Sequence, residues 1–554
     1  MSEKPLAANS LFTKTAAITW KVLAYAVIAY GILIRTFHFF YNRSLWLDEI
    51  YLSASLLKMS LWELVSTPLD YQQQAPIGLL LLVKSSVLAF GENEMALRLI
   101  PFLCGIIALF AFYRLASYYL SPAGVFISTA MIATAPFLVY HSVEVKQYSS
   151  GLLMSIIAIL LYIKYSKRQD WPALLIWGSA GALIIWFSHS AIFLFAGIAF
   201  GLSLYHIWKK NWQTFLLLLI PFGMWMISFL IHYFLFIATS QDSEWLTKWF
   251  QERNSYMPVT SPISAAKWIL FQFYRMLEYP LGLLWSWDEH TFSNFIIRNV
   301  MRMPLLPMAC FALGMIAWFR MERKSFLILV FPILLTLIAS GLKFYPVYER
   351  LTVFLAPILV LFITKGVEKL IRLKWVKPVS VLVIILLLAA PFASSITQLA
   401  NPHKLGGYKN ADYRRTFEFV ENNQIEGDSV YVYWNLVAQY KVYKQLSRLS
   451  YDAVEGKDLR SRSSDEASYL KNIETDINQL DGPGRVWLIY DNTLNFDIGD
   501  MDERTWYQSG KYASQPGTRV LNKLKTMGKI LKEYKSRSAS AYLIDLKSIP
   551  SGSK

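Results

Sequence analysis

Two adjacent carboxylates, Asp48 and Glu49, follow Trp46 and Leu47 directly after the first long apolar stretch, at roughly residues 16–40. Charges held next to hydrocarbon are costly, so a pair kept where a chain leaves a membrane points to use. The chemistry open to such a group is proton transfer to or from a hydroxyl. Three more polar stretches sit at the starts of later apolar runs. Gln72-Gln73-Gln74-Ala75-Pro76-Ile77-Gly78 heads the second. His141 to Tyr148 contains Glu144, Lys146 and Tyr148 and precedes a run starting near Gly151, and Tyr345 to Arg350 precedes the run containing Pro357. Lys84, midway along a short apolar run, is expected to face a cavity or the bundle interior.

The same residues admit plainer readings. Asp48 and Glu49 fit a solvated loop or a helix N-cap. Glu144 and Lys146 fit an interfacial ion pair, and Arg350 fits a snorkelling helix anchor.

The elements that must position these groups are membrane helices. The chain has 554 residues, 55% hydrophobic, 16% aromatic and only 17% charged, which is too apolar for a soluble protein. Apolar runs close to the ~20 residues of a bilayer crossing recur from about 76–90 to 378–398. The net charge of +16 suggests a nucleic-acid partner, yet much of it falls in short loops, so none is expected. The clusters Lys164/Lys167/Arg168, Lys209/Lys210, Arg320/Arg323/Lys324 and Lys365 to Lys377 mark cytoplasmic loops. With the N-terminus they place Asp48, Glu49, residues 140–149, 188–190, 239–300 and 343–350, and everything after 398, outside. Three apolar runs separate Asp48 from residues 140–149, an odd number that would put them on opposite faces. One run must therefore be split or fail to cross, and eleven or thirteen helices are expected. The first run reads as a retained helix.

Residues 1–15 are expected to be a cytoplasmic tail, 16–400 a catalytic transmembrane domain and 401–554 an external soluble α/β domain. In that last part, helices at 412–421, 437–444 and 520–534 alternate with strands at 429–434, 485–490 and 539–546, and 456–465 reads as a mobile loop. The aromatic-rich loop 239–300 suggests amphipathic helices lying along the outer leaflet. Cys104 and Cys310, the only cysteines, read as packing residues. Asp288-Glu289-His290, His141 and His189 lack regular ligand spacing, and no metal site is expected.

Taken in order, these stretches resemble the GT-C superfamily of membrane glycosyltransferases, in particular the branch with the protein O-mannosyltransferases and the lipid A aminoarabinose transferases. The likeness is carried by the first-loop Asp-Glu pair, a Pro-started helix after a polar run, the Glu144-x-Lys146-x-Tyr148 element, Arg350 before a Pro-containing helix, and the external C-terminal domain. It implies transfer of a sugar from a polyprenyl-phosphate donor to a glycan, lipid or protein acceptor, by a single-chain bacterial inner-membrane protein with its C-terminal domain periplasmic. Asp48 matches the family's base, with Glu49 and Glu144 as further candidate catalytic carboxylates. Arg350, then Lys146 and Lys84, are candidates for the donor phosphate, and Trp46, Gln74, Tyr148 and Tyr345 for lining the substrate. Some relatives use a divalent ion, but the acidic-basic pair of the aminoarabinose branch is replaced here by Gln73 and Gln74. The competing reading is a transporter or flippase of lipid-linked sugars. Transporters place ionisable groups at mid-bilayer in broken helices, whereas here most collect at external helix ends.

Overall fold

The computed structural model of the protein describes residues 6–238, 244–286, 293–373, 375–477, 484–495, 498, 500, 506–507 and 516–546. Eight helices are long and apolar enough to cross a membrane: Ile18–Tyr41, Glu94–Tyr119, Tyr148–Tyr165, Ala191–Trp208, Trp212–Ile237, Arg323–Gly341, Glu349–Leu370 and Ser380–Ala400. Two bent pairs, Pro122–Thr134 with Pro136–Ser142 and Phe295–Met301 with Leu305–Met321, pass the same test, and Ile77–Phe90 and Trp171–Ile185 are shorter apolar helices.

Of the three runs between Asp48 and residues 140–149, Ile77–Phe90 is a short helix. Lys84 in its middle donates to the carbonyls of Leu56 and Leu57 at 2.9 and 3.2 Å, in the last turn of helix Leu47–Lys58. That helix follows the first long apolar helix, and Lys84 ties the short helix Ile77–Phe90 to it. With each bent pair taken as one span, ten helices among the described residues are long and apolar enough to cross; counting Trp171–Ile185 as well would give eleven and put each Lys/Arg cluster on one face. The Ser121 turn agrees, its N–H bonding Glu368 Oε1 at 2.6 Å beside Lys365 of the last cluster.

The chain divides into two compact units. The first comprises residues 1–41, 74–83 and 98–406. Its tightest helix contact is Leu305–Met321 against the helix Ala356–Leu370. A Cβ on Gly314 would collide with the Phe362 carbonyl and one on Gly366 with the Cys310 carbonyl, so only glycine permits this approach. Pro136 breaks its span with a 57° bend. Proline has no N–H, so carbonyls of the preceding turn lose their helical donors. Arg35, 1% exposed within the first span, supplies them, its guanidinium bonding Ala133 O at 2.9 Å and Ile132 O at 3.2 Å.

The long loop before the bent pair contains helices Glu244–Glu252 and Pro262–Glu278. Exposed Ile263, Leu270 and Phe271 give the second an apolar outward face, as an interfacial helix has.

The second unit comprises residues 42–73, 84–97 and 407–554. Its sheet contains β1 (Ser429–Val432), β2 (Val454–Glu455), β3 (Arg485–Asp491), β4 (Lys529–Lys535) and β5 (Ala539–Asp545), in the order β2-β1-β3-β5-β4. β1 pairs parallel with β2 and β3, while β5 runs antiparallel to β3 and β4. Buried Tyr431, Val486, Leu488, Tyr542 and Ile544 join Val520, Leu521 and Leu524 of helix Pro516–Lys525 in one core. Two expectations are corrected here. The helix expected over 520–534 stops at Lys525, and the rest becomes strand β4. The stretch 456–465 is pinned, because buried Arg460 bonds Asp458 and Asp500 and stacks 4.0 Å over Trp434.

Candidate functional site

The acidic pair opens helix Leu47–Lys58, where two carboxylates in the first turn suit the positive end of the helix dipole. The two side chains divide their roles. Glu49 is fully buried, accepts from the Trp46 N–H at 3.2 Å and pairs with the Arg43 guanidinium at 2.6 Å. It reaches back over the helix start as a capping-box glutamate does. Asp48, its half-buried neighbour, stands in the first turn that Glu49 fixes.

The segment leading into that turn is clamped from the C-terminal part of the same unit. Arg414 bonds Asn42 O at 2.8 Å and Glu94 Oε1 at 2.8 Å, and its own N–H bonds Ser44 Oγ at 3.1 Å. The Tyr443 hydroxyl accepts from Leu45 N at 2.8 Å. Burial is the main reason this hydroxyl is raised well above its ordinary range, so it stays protonated. Trp46 packs edge-on to Tyr408, with the Lys409 ammonium 5.5 Å from its ring. Lys84 spends two of its three protons on the Leu56 and Leu57 carbonyls.

The first unit holds a second constellation. Helix Pro136–Ser142 carries in its last turn His141, whose Nδ1 lies 2.6 Å from Glu144 Oε2 and whose Nε2 lies 2.6 Å from the Tyr279 hydroxyl. His141 is 1% exposed and Glu144 0%. A carboxylate only accepts, so the arrangement is satisfied when Nδ1–H donates to Glu144 and the Tyr279 hydroxyl donates to Nε2. Burial first, then the charges of Glu144 and Glu349, push the Tyr279 hydroxyl well above its usual range, with Arg350 acting the other way. Tyr279 therefore keeps its proton, and the row fixes the His141 ring between hydroxyl and carboxylate.

Lys146 is nearly buried and joined to Glu144 through its backbone N–H at 2.7 Å. Tyr148 starts the next span, its ring 4.7 Å from His141. Gln74 O is 3.5 Å from Gln147 Nε2. Arg350 lies in the 3-10 turn Glu349–Leu355, which Tyr345 ties down by donating to Leu351 O at 2.8 Å. Glu349, directly before Arg350, has φ of 27°, a left-handed conformation uncommon for a non-glycine residue and typical of functional turns.

Sequence reasoning missed Tyr279, which stands 138 residues from His141. The Glu-Tyr-Pro-Leu-Gly stretch at 278–282 carried no periodic signal. Among the described residues no group of three or more His, Cys, Asp or Glu side chains is arranged to hold a metal. The Asp288-Glu289-His290 cluster lies outside the described residues.

The profile of the dolichyl-phosphate-mannose-protein mannosyltransferase family matches residues 74–246. A search of curated proteins by sequence finds no match. Among solved structures, ArnT from Cupriavidus metallidurans bound to undecaprenyl phosphate is similar at a TM-score of 0.53 and 10% identity, over 96% of this chain and 98% of that one. The archaeal oligosaccharyltransferase AglB from Archaeoglobus fulgidus, in complex with an inhibitory peptide and a dolichol-phosphate, aligns at 0.48 and 13% identity over 96% of this chain and 75% of that one.

Proposed function

From a multi-span membrane protein with the fold of the GT-C glycosyltransferases, we propose an enzyme that moves a sugar from a polyprenyl-phosphate donor to a hydroxyl of a glycan, lipid or protein acceptor at the outer face of the membrane. The observation that carries it is the extent of the fold likeness, which takes in nearly the whole of both chains and whose counterpart holds undecaprenyl phosphate. The family profile, named for a polyprenyl-phosphate sugar donor of the same kind, points the same way.

In this reading the acceptor oxygen attacks the anomeric carbon while Asp48 takes its proton. The bond from that carbon to the phosphate oxygen breaks, and the polyprenyl phosphate leaves with the bonding electrons. Fixed positive charge stabilises that departure. Arg350 supplies it with two parallel donors, with Lys146 and the remaining Lys84 proton as further candidates. Glu49 acts through the helix it holds, and Glu144 through His141. Trp46, Gln74, Tyr148 and Tyr345 line the substrate. The C-terminal domain faces the periplasm of a bacterial inner membrane, and the protein works as a monomer.

The test is a cell-free transfer assay with purified protein, a panel of radiolabelled polyprenyl-phosphate sugars and an envelope extract. Asp48→Asn is expected to lower kcat by about 10²–10⁴-fold while leaving donor KM within about twofold. Transfer at the wild-type rate by this variant refutes Asp48 as base. Donors left intact by the wild type, together with their movement across proteoliposomes, favour transport.

A further inference from the structure

In the turn Gly407–Lys409 and the residue after it the usual order of burial is inverted. Lys409 is 2% and Asn410 7% exposed, whereas the Tyr408 ring is 67% exposed. Gly406 and Gly407 lead into the turn with φ of 81° and 59°, a left-handed path that glycine takes without strain. The Tyr408 ring meets that of Trp46 at 86°, with centroids 6.4 Å apart, and the Lys409 ammonium lies 5.5 Å from both. Two rings at a right angle make a corner with an apolar lining and a cation at its back. Trp46 caps helix Leu47–Lys58, and Asp48 stands in the first turn of that helix, two residues further on. The corner therefore sits beside that carboxylate.

Both walls are braced within the one unit. On the Tyr408 side, Asn410 N bonds Gly407 O at 3.3 Å, Asp412 N bonds Ser538 Oγ at 3.1 Å, and the Tyr413 hydroxyl donates to Asp491 Oδ2 at 2.7 Å. On the other side, Trp46 N donates to Glu49 Oε2 at 3.2 Å and Ile50 N to Trp46 O at 2.9 Å. Rings held in place beforehand lose little freedom when a ligand arrives. A pyranose ring has a flat C–H face and a rim of hydroxyls. The face covers an aromatic ring, and the rim reaches the polar groups that fix orientation. A serine or threonine in an extended peptide brings Asp48 a hydroxyl but nothing flat to lay on Tyr408. The corner thus favours a sugar.

We propose that Tyr408 and Trp46 seat a sugar ring of the acceptor, so that the group presented to Asp48 is a glycan hydroxyl and Tyr408 sets acceptor specificity. The fate of that hydroxyl rests on the transfer reading, whereas the binding of the sugar does not. Purified protein, without donor, is titrated with a panel of soluble envelope oligosaccharides and with Ser/Thr peptides of similar mass. The wild type is expected to bind one or more of the oligosaccharides. Tyr408→Leu, which keeps apolar bulk and loses the ring, is expected to bind them about tenfold more weakly at an unchanged melting temperature, and Tyr408→Trp to stay within about twofold of wild type. In the transfer assay Tyr408→Leu should raise the acceptor KM by about the same factor, with kcat and donor KM within about twofold. Should Tyr408→Leu fail to accumulate, Tyr408→Gln, a polar side chain at an exposed position, carries the same expectation. The proposal is overturned if the wild type binds no oligosaccharide, if Tyr408→Leu binds them as tightly as wild type, if Tyr408→Trp is as weak as Tyr408→Leu, or if only peptide binding weakens. Oligosaccharide binding that depends on Tyr408, in a protein that transfers nothing from any donor, refutes the transfer reading and leaves the sugar seat standing.

Discussion

Replacing Arg43 by alanine tests whether Glu49 holds the acidic helix or shares its chemistry. The pair is closed at 2.6 Å with side chains 3% and 0% exposed, so removing one partner strands a charge out of water. A broken buried pair costs about 3–5 kcal/mol, a large share of a typical folding free energy of about 5–15 kcal/mol. Glu49 retains the bond from Trp46 N, which argues for the lower end, about 3 kcal/mol. The damage is local, since Arg414 and Tyr443 still grip residues 42–45. Amide exchange followed by mass spectrometry over 45–52 should therefore speed up by about two orders of magnitude, while β3 and β5 keep their protection. The double change Arg43→Leu/Glu49→Leu removes both charges and should recover most of that protection, because a buried ion pair is about as stable as an apolar pair of similar volume. If the single variant exchanges like wild type, or the double is as loose as the single, the pair is not the desolvated brace described above and Glu49 is open to a direct chemical role.

Further outcomes follow from the same contacts. Lys84→Met strips the Leu56 and Leu57 carbonyls of their donor, costing about 1–3 kcal/mol and speeding exchange at the end of helix Leu47–Lys58. Weaker donor binding with unchanged exchange would instead make Lys84 a phosphate ligand. Gly366→Leu forces a side chain into the Cys310 carbonyl and should abolish accumulation of folded protein in the membrane, checked by size-exclusion profile, whereas Gly223→Leu, with open space around its Cβ position, should be tolerated. Burial, and secondarily His232, hold His189 down to about 3 from 6.5. A depressed imidazole gives stability that is whole above pH 6.5 and lost as the pH falls toward 3. The melting temperature should thus drop between pH 7 and 5, and His189→Phe should flatten that slope; an identical slope in the variant rules His189 out as its source.

The crossings were legible because a bilayer demands long apolar helices whatever their neighbours. Hydropathy left the place of Ile77–Phe90 open, since it does not distinguish a helix in lipid from one buried in protein. The clue was the single charge, Lys84, together with the parity of the loops. Residues 520–534 misled for a related reason: Lys529–Lys535 is a charged edge strand, whose Lys and Glu residues discourage pairing with other chains and also suit a helix surface. A Cβ on Gly528 would strike the Asp545 carbonyl, which places the turn there. In 456–465 polarity was mistaken for mobility, although Arg460 finds both its carboxylates and an aromatic face. At the candidate site, Asp48, Glu49, Glu144, Lys146 and Arg350 could be picked out by type and by position at helix ends. The engagement of Glu49 with Arg43 could not, nor could the link from Glu144 through His141 to Tyr279, because tertiary contacts leave no local pattern.

Arg35 also has a meaning for how the protein is made. It leaves the ribosome in the first helix, 98 residues ahead of Ala133, one of the carbonyls it will serve. Until the Pro136 break arrives, that guanidinium must be carried at a cost of up to about 3 kcal/mol, or drawn to the headgroups. Insertion of the first helix is therefore provisional, and it becomes permanent only when the kinked span docks beside it. Assembly of the bundle then has a built-in order, in which the segment carrying His141 is what commits the N-terminus to the bilayer.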